Sequence, residues 1–259
     1  MDLGIANRSA IVCASSRGLG EACATALTRE GVRVVINGRD KSSLNATADR
    51  IEAAAGRRPL LAVADITTEA GREALVGTNP DADILVNNNA GPPPGDLQDW
   101  DRAAWITALD NNMLAAVLLI RALLPGMRRR RFGRVVNITS AMVKSPAPTM
   151  GLSTAARTGL VALCKSISHE VAPDNVTINN LLPERIDTDR QRYMAERMMK
   201  EQGIDMEEAR RQIAQSISAK RFGLPSEFGD ACAFLCSAQA GFISGQNLQL
   251  DGGSYRGLI

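Results

Sequence analysis

The sequence is poor in the features that would mark a nucleic-acid, metal or membrane protein. Thirty lysines and arginines stand against 28 acids, so the formal charge is only +2 and gives no electrostatic reason to expect a polyanionic partner. The one basic run, Arg128-Arg129-Arg130-Arg131, has no interleaved aromatics and no second basic cluster. It reads as a solvated connection between a helix and a strand, and no nucleic-acid partner is expected. The five cysteines (Cys13, Cys23, Cys164, Cys232, Cys236) are odd in number and lack C-x-x-C spacing. They read as small core residues, and no metal site is expected. Without a secretory-leader pattern, a reducing cytoplasm is the expected compartment. No apolar run reaches the ~18 residues needed to span a bilayer. The longest, 113–124, is broken by Arg121 and reads as a buried helix, so no membrane partner is expected.

What the sequence does contain is alternation. Strand-like runs at 9–14, 33–37, 60–64, 84–86, 134–138, 176–181 and 247–250 are separated by helix-like runs at 18–29, 41–55, 102–127, 153–170 and 225–237. This is the pattern of βαβ units, and it predicts one α/β domain over residues 1–259: a doubly wound parallel sheet with helices on both faces. The cluster Pro92-Pro93-Pro94-Gly95 must leave the sheet as a loop. Residues 187–220 are charged, Met-rich and helix-prone, and they break the rhythm just after a strand end. A helical lid over a substrate belongs there, with a surface helical pair as the plain alternative. Met194, Met198, Met199 and Met206 in that segment suit either an apolar ligand or ordinary helix packing.

After the first strand the chain reads Ser15-Ser16-Arg17-Gly18-Leu19-Gly20 and opens a helix. Glycines there let the backbone approach a pyrophosphate, whose charge meets free N–H groups and the helix dipole. The end of the second strand selects the nucleotide, because an acid there would hold the ribose hydroxyls and repel a 2′-phosphate. This chain has Asn37-Gly38-Arg39 instead. Arg17 and Arg39 are expected to clamp the 2′-phosphate through charge-assisted bonds of ~1.5–3 kcal/mol each, which predicts NADP(H) over NAD(H).

These motifs resemble the short-chain dehydrogenase/reductase family, most closely its 3-oxoacyl-[acyl-carrier-protein] reductase-like branch, along nearly the whole chain. Residues 15–20 look like the glycine motif, with Cys13 and Ala14 in place of its opening Thr and Gly. Asp65 and Ile66 are similar to the pair that contacts adenine, and Asn88-Asn89-Ala90-Gly91 to the turn under the cofactor. Asn112 stands where the family has its helix asparagine, and Ser140 where it has its active serine. Pro183, Ile186 and Thr188 resemble the stretch that flanks the nicotinamide carboxamide, although Glu184 replaces the usual glycine. Asp251-Gly252-Gly253 matches the carboxyl-terminal signature. The resemblance implies a homotetramer or dimer formed through the long helices, which the apolar stretch 114–124 permits, and a small carbonyl or alcohol substrate.

The catalytic pair departs from that pattern. Where the family has a tyrosine and, one helical turn on, a lysine, this chain has Ser153 and Arg157, and its only tyrosines are Tyr193 and Tyr255. Serine is a far weaker acid than tyrosine and a ring shorter; Arg157 is still expected to bind the cofactor by hydrogen-bonding the nicotinamide ribose, but arginine is a poor proton relay. Three readings follow. In the first, an oxidoreductase uses Ser140 and Ser153 to polarise a carbonyl and Arg157 to stabilise the oxyanion, with Lys144, Tyr193 or water supplying the proton. In the second, the protein is an inactive NADP(H)-binding sensor or partner subunit. In the third, it is a lyase, isomerase or dehydratase on the same fold. The single histidine, His169, reads as a helix-surface residue.

Overall fold

Short apolar runs form the strands, the inner five buried along nearly their whole length and the two edge strands more open. The computed structural model describes residues 2–258. β1 (Ser9–Val12), β2 (Arg33–Gly38), β3 (Leu60–Val63), β4 (Ile84–Asn87), β5 (Gly133–Ile138), β6 (Val176–Pro183) and β7 (Asn247–Leu250) make one parallel sheet in the order β3-β2-β1-β4-β5-β6-β7. The order reverses between β1 and β4, so the crevice for a ligand opens at their carboxyl ends. The predicted doubly wound sheet is therefore the observed one.

Because side chains alternate across each strand, the sheet feeds two cores. On one face α1 (Gly18–Arg29), α2 (Lys41–Ala55) and α9 (Pro225–Cys236) bury Leu27, Leu44, Ile51 and Phe228 with Val12 and Ile36. On the other, α3 (Glu69–Thr78), α5 (Ala115–Arg129) and α6 (Gly151–Val171) bury Leu75, Leu119, Leu123 and Leu160 with Ile11 and Val135. All five cysteines are buried and unpaired, as the odd count and spacing suggested. Burial pushes the Cys13 thiol up to about 12 and that of Cys164 up to about 11, so neither is a thiolate at neutral pH.

Four features differ from the expectation. Helix α3 was not foreseen, because only Leu75 is buried along it and the apolar periodicity is correspondingly weak. The helix expected over 102–127 is divided by a π-turn at Asp110–Leu114 between α4 (Arg102–Leu109) and α5. The helical stretch Arg102–Arg129, 28 residues with an 18-residue window of mean hydropathy 1.5, is long and apolar enough by length and composition to cross a bilayer, which the interrupted run 113–124 had not suggested. One face of it packs into the core through Ala115, Leu119, Leu123 and Met127. Lastly, the basic run is more than a solvated connection. Arg128 pairs with Asp174 at 2.8 Å and Glu170 at 2.6 Å, and Arg130 with Asp81 at 2.9 Å, lacing the amino edge of the sheet.

Residues 187–220 form the expected helical pair, α7 (Asp189–Gln202) and α8 (Met206–Ser216). They have a small core of their own, Ala195, Ala209 and Ile213, against which Met198, Met199 and Met206 pack. Those three methionines therefore take part in the packing of the helix pair, while Met194 stands outside that cluster.

Candidate active site

The glycine turn is held by Asn37, a residue whose only sequence signal was that it is not acidic. Its Oδ1 accepts from the Ala14 N–H at 3.2 Å, and its Nδ2 donates to the carbonyls of Ala62 (3.1 Å) and Ala64 (3.0 Å), stitching the ends of β1, β2 and β3 together. Ala14 takes the place of a glycine and sits at φ 43, a left-handed conformation that costs a non-glycine residue about 1 kcal/mol. Its carbonyl accepts from Asn88 Nδ2 at 3.1 Å, so the β1 and β4 turns brace each other across the crevice. Gly18 takes φ +59, and a Cβ on Gly20 would lie 2.5 Å from the Ala14 carbonyl oxygen. No side chain caps the start of α1, which leaves its first amides free for an anion.

Of the two arginines expected at the 2′-phosphate, Arg17 reaches Asp189 at the start of α7 (3.5 Å), an exposed pair that contributes little to stability. Arg39 is exposed beyond β2, without an ion pair among the described residues. It lies close to Asp65, whose carboxyl is held below the usual carboxylate range by the N–H and O–H of Thr67, with Arg39 adding to the effect. An exposed arginine just past β2, with Asn37 in place of an acid at the strand end and Asp40 engaged in capping the next helix through Ser43, fits a 2′-phosphate.

Beyond β4 the asparagines separate by role. Asn87, Asn137, Asn180 and Asn247 stand in register on four neighbouring strands and hydrogen-bond side chain to side chain, Asn87 to Asn137 at 2.8 Å, Asn137 to Asn180 at 2.9 Å and Asn180 to Asn247 at 2.8 Å. Asn89 Nδ2 donates to the Asn111 carbonyl at 2.9 Å and ties the Asn88–Gly91 turn to the π-turn. The additional residue of that π-turn carries buried Asn112 to a small half-open pocket with about 20 Å³ of space for water, which Asn87, Ile66 and Arg157 also line. The Oδ1 atoms of Asn87 and Asn112 have no protein partner, and the cavity has room for one water.

Ser140 lies two residues past β5, where its Oγ accepts from the Met142 N–H at 3.2 Å and leaves its own proton free to donate. Ser153 and Arg157 lie one turn apart on α6, as the spacing predicted, but both are buried. Arg157 Nη1 donates to the carbonyls of Ile138 (2.8 Å) and Thr139 (3.1 Å), Nη2 to that of Asn89 (3.4 Å), and Nε to Ser153 Oγ (3.2 Å). Ser153 Oγ thus accepts from Arg157 and keeps its own proton to donate. Gly91 lets this guanidinium come close, since a Cβ there would stand 3.3 Å from Nη2. Burial, helped by the charge of Arg190, pushes Arg157 down to about 10, and it remains a cation at neutral pH.

The other sequence candidates are dispersed. Lys144 caps the short turn that Ser140 begins, with its ammonium 5.3 Å from the centroid of the Tyr255 ring. Tyr193 lies on α7 under Arg190, and His169 is exposed in the last turn of α6, as expected. Pro183 ends β6, Ile186 is buried and bridges to Gly223, and Thr188 begins α7 within reach of Gly18. Burial raises the carboxyl of Glu184, the residue in the glycine's place, with Arg185 opposing. Sequence reasoning missed the asparagine ladder, whose signal was an asparagine recurring at strand ends, and it missed Arg190, which nothing in the local pattern singles out.

Comparison with known proteins fits this geometry. A family model described as enoyl-(acyl carrier protein) reductase matches residues 13–255. NADPH-dependent reductase BacG of Bacillus subtilis (strain 168) is 30% identical over 259 residues, covering 98% of this chain and 100% of the relative. The structure of L-sorbose reductase from Gluconobacter frateurii, complexed with NADPH and L-sorbose, superposes with a TM-score of 0.94 at 29% identity over 100% of both chains. A 3-oxoacyl (acyl-carrier-protein) reductase from Agrobacterium tumefaciens C58 with NADP bound gives 0.87 at 30% identity, covering 97% of this chain and 96% of that one.

Proposed function

The chain belongs to the short-chain dehydrogenase/reductase family, and from that premise we propose that it is an NADP(H)-dependent oxidoreductase interconverting a small carbonyl compound and its alcohol. The observation that carries the reading is a buried cation, Arg157, fixed beside Ser140 and Asn112 at the mouth of an intact dinucleotide cradle. A fixed charge in a water-poor site stabilises a developing oxyanion far more than it would in bulk water.

The residues divide the work along the carboxyl edge. Amides at Ser15, Ser16, Arg17, Gly18, Leu19 and Gly20 would receive the pyrophosphate, and Arg39 the 2′-phosphate. Asp65 and Ile66 would flank the adenine, the turn Asn88-Asn89-Ala90-Gly91 would underlie the nucleotide, and Pro183, Ile186 and Thr188 would flank the carboxamide. When bound, NADPH supplies the hydride. Ser140 Oγ donates to the carbonyl oxygen, Arg157 holds positive charge near it, Ser153 fixes Arg157, and Asn112 orders the polar cavity beside them. Arg157 keeps its protons at neutral pH, so the proton comes from another group. Lys144, on the turn that begins at Ser140, is the donor we assign.

Loss of reduced-nicotinamide absorbance across a panel of ketones, β-ketoesters and thioesters tests the reading directly. Intact NADPH binding with silence over the whole panel would overturn it in favour of a nucleotide sensor. Arg39→Asp should weaken NADPH binding by about 10- to 100-fold, the size of one charge-assisted pair, while NADH binding holds or improves. Calorimetric titration with both nucleotides reads this, and parallel losses for both would remove Arg39 from phosphate recognition. Lys144→Met should lower kcat about tenfold or more and move the pH profile; an unchanged profile would exclude Lys144 as the donor.

The exposed flank of α4 and α5, with Ile106 and Leu114 each about two-fifths open, suits a second copy of the chain. A homodimer or homotetramer built on this flank should appear in light scattering, and Leu114→Glu should dissociate it.

A further inference from the structure

Two arginines at the carboxyl edge carry charge that the described residues leave uncompensated. Arg157 is buried, and its N–H groups reach only neutral oxygens: three main-chain carbonyls and the Ser153 hydroxyl. Arg190, in the first turn of α7, is half-buried and has no hydrogen-bond acceptor among the described residues. Its guanidinium lies over the Tyr193 ring, 5.6 Å from the centroid. The acids beside it in sequence are committed elsewhere, Asp187 to Arg210 at 2.9 Å and Asp189 to Arg17 at 3.5 Å. Burial and neighbouring positive charge act in the same direction on both arginines, and Arg157 feels the charge of Arg190 directly.

Holding two like charges together, partly out of water, costs stability unless an anion joins them. The elements that hold these two converge on one place. Arg157 spans the ends of β4 and β5 through Asn89, Ile138 and Thr139, and Arg190 follows the end of β6 at the start of the lid pair. Both charges therefore lie at the carboxyl edge on the β4–β6 side of the sheet, the side of Ser140 and away from Arg39 beyond β2. A guanidinium fork matches a carboxylate in a way a single ammonium does not.

We propose that Arg157 and Arg190 together bind a carboxylate of the substrate, so that the enzyme acts on oxo acids in preference to neutral ketones. This rests on the reductase reading above and adds the substrate class to it. Arg190 offers its unshared fork, and Arg157 offers the Nη2 proton that its carbonyl partners leave over.

The test compares pyruvate, acetoacetate and levulinate with their methyl esters, using NADPH and the full-length protein. For at least one pair, kcat/KM should favour the acid by about 10- to 100-fold, chiefly through KM. Arg190→Met should bring that ratio close to unity, and Arg190→Lys should restore part of it. A readout without turnover accompanies this: succinate should raise the melting temperature of the NADP+-loaded wild type and leave that of Arg190→Met unmoved. Equal use of acid and ester, or the same succinate shift in both proteins, overturns the proposal. So does an Arg190→Met protein that loses NADPH affinity about tenfold with the acid preference intact, since Arg190 would then belong to the cofactor. If no compound is reduced at all, the reductase reading fails, and the succinate shift still decides whether the anion site exists.

Discussion

Replacing Gly20 by alanine should weaken nicotinamide-nucleotide binding by about a hundredfold or more in a protein that still folds. The new Cβ would lie 2.5 Å from the Ala14 carbonyl oxygen and 2.7 Å from Ser15 Cα. Both are backbone atoms, so no rotamer change relieves the contact. The turn itself must move, and Ala14 is held there by Asn37 and Asn88. Displacing amides that would bind a pyrophosphate forfeits charge-assisted bonds of ~1.5–3 kcal/mol each, and two such losses give the expected factor. Overpacking of this kind costs about 1–3 kcal/mol of stability, a few degrees in Tm for a chain of this length. Gly77→Ala is the control, because a Cβ there meets nothing within 4 Å inside α3. It should leave nucleotide affinity unchanged and raise Tm slightly. A Gly20→Ala protein that binds NADPH as well as the wild type would show that the turn does not hold the nucleotide.

The second large effect is at Arg157. Arg157→Met removes the fixed cation and should lower kcat by about a hundred- to a thousandfold, the range found when a preorganised oxyanion donor is deleted. It also leaves the carbonyls of Ile138 and Thr139 without their side-chain donor. Part of that loss is offset, since a buried charge answered only by neutral oxygens carries a desolvation penalty of its own. Far-ultraviolet circular dichroism and NADPH titration separate folding from chemistry. Arg157→Lys keeps the charge but not the fork, and should retain more activity than Arg157→Met. Combining Ser153→Tyr with Arg157→Lys places the tyrosine and lysine of the family at their usual spacing. That double variant should gain a pH-dependent step that the wild type lacks, because a phenol next to an ammonium titrates nearer to working pH than serine does. A folded, NADPH-binding Arg157→Met enzyme with the wild-type kcat/KM would remove the guanidinium from the chemistry.

The cradle was legible because its signals are local. Gly18 and Gly20 follow a strand and open a helix, and Arg39 stands where an acid would select the other nucleotide. The catalytic centre was legible only as a departure: Ser153 and Arg157 were found at the right spacing, but not the way they face. Burial turned Ser153 toward Arg157, and it spent most of the guanidinium on strand-end carbonyls. Lys144 resolved toward Tyr255, and Arg17 toward Asp189. Each of these partners is more than 100 residues away in the chain, beyond the reach of any periodicity argument.

The order of strands and helices, the cofactor turn and the missing tyrosine were determined by the sequence alone, because each depends on residues within one or two turns of each other. The tertiary fold decided which charges end up unanswered. Arg157 and Arg190 belong to α6 and α7, and they come to the same edge only because a parallel sheet brings the ends of β4, β5 and β6 together there. Electrostatic free energy depends on distance and on exclusion of water, neither of which is set by spacing along the chain.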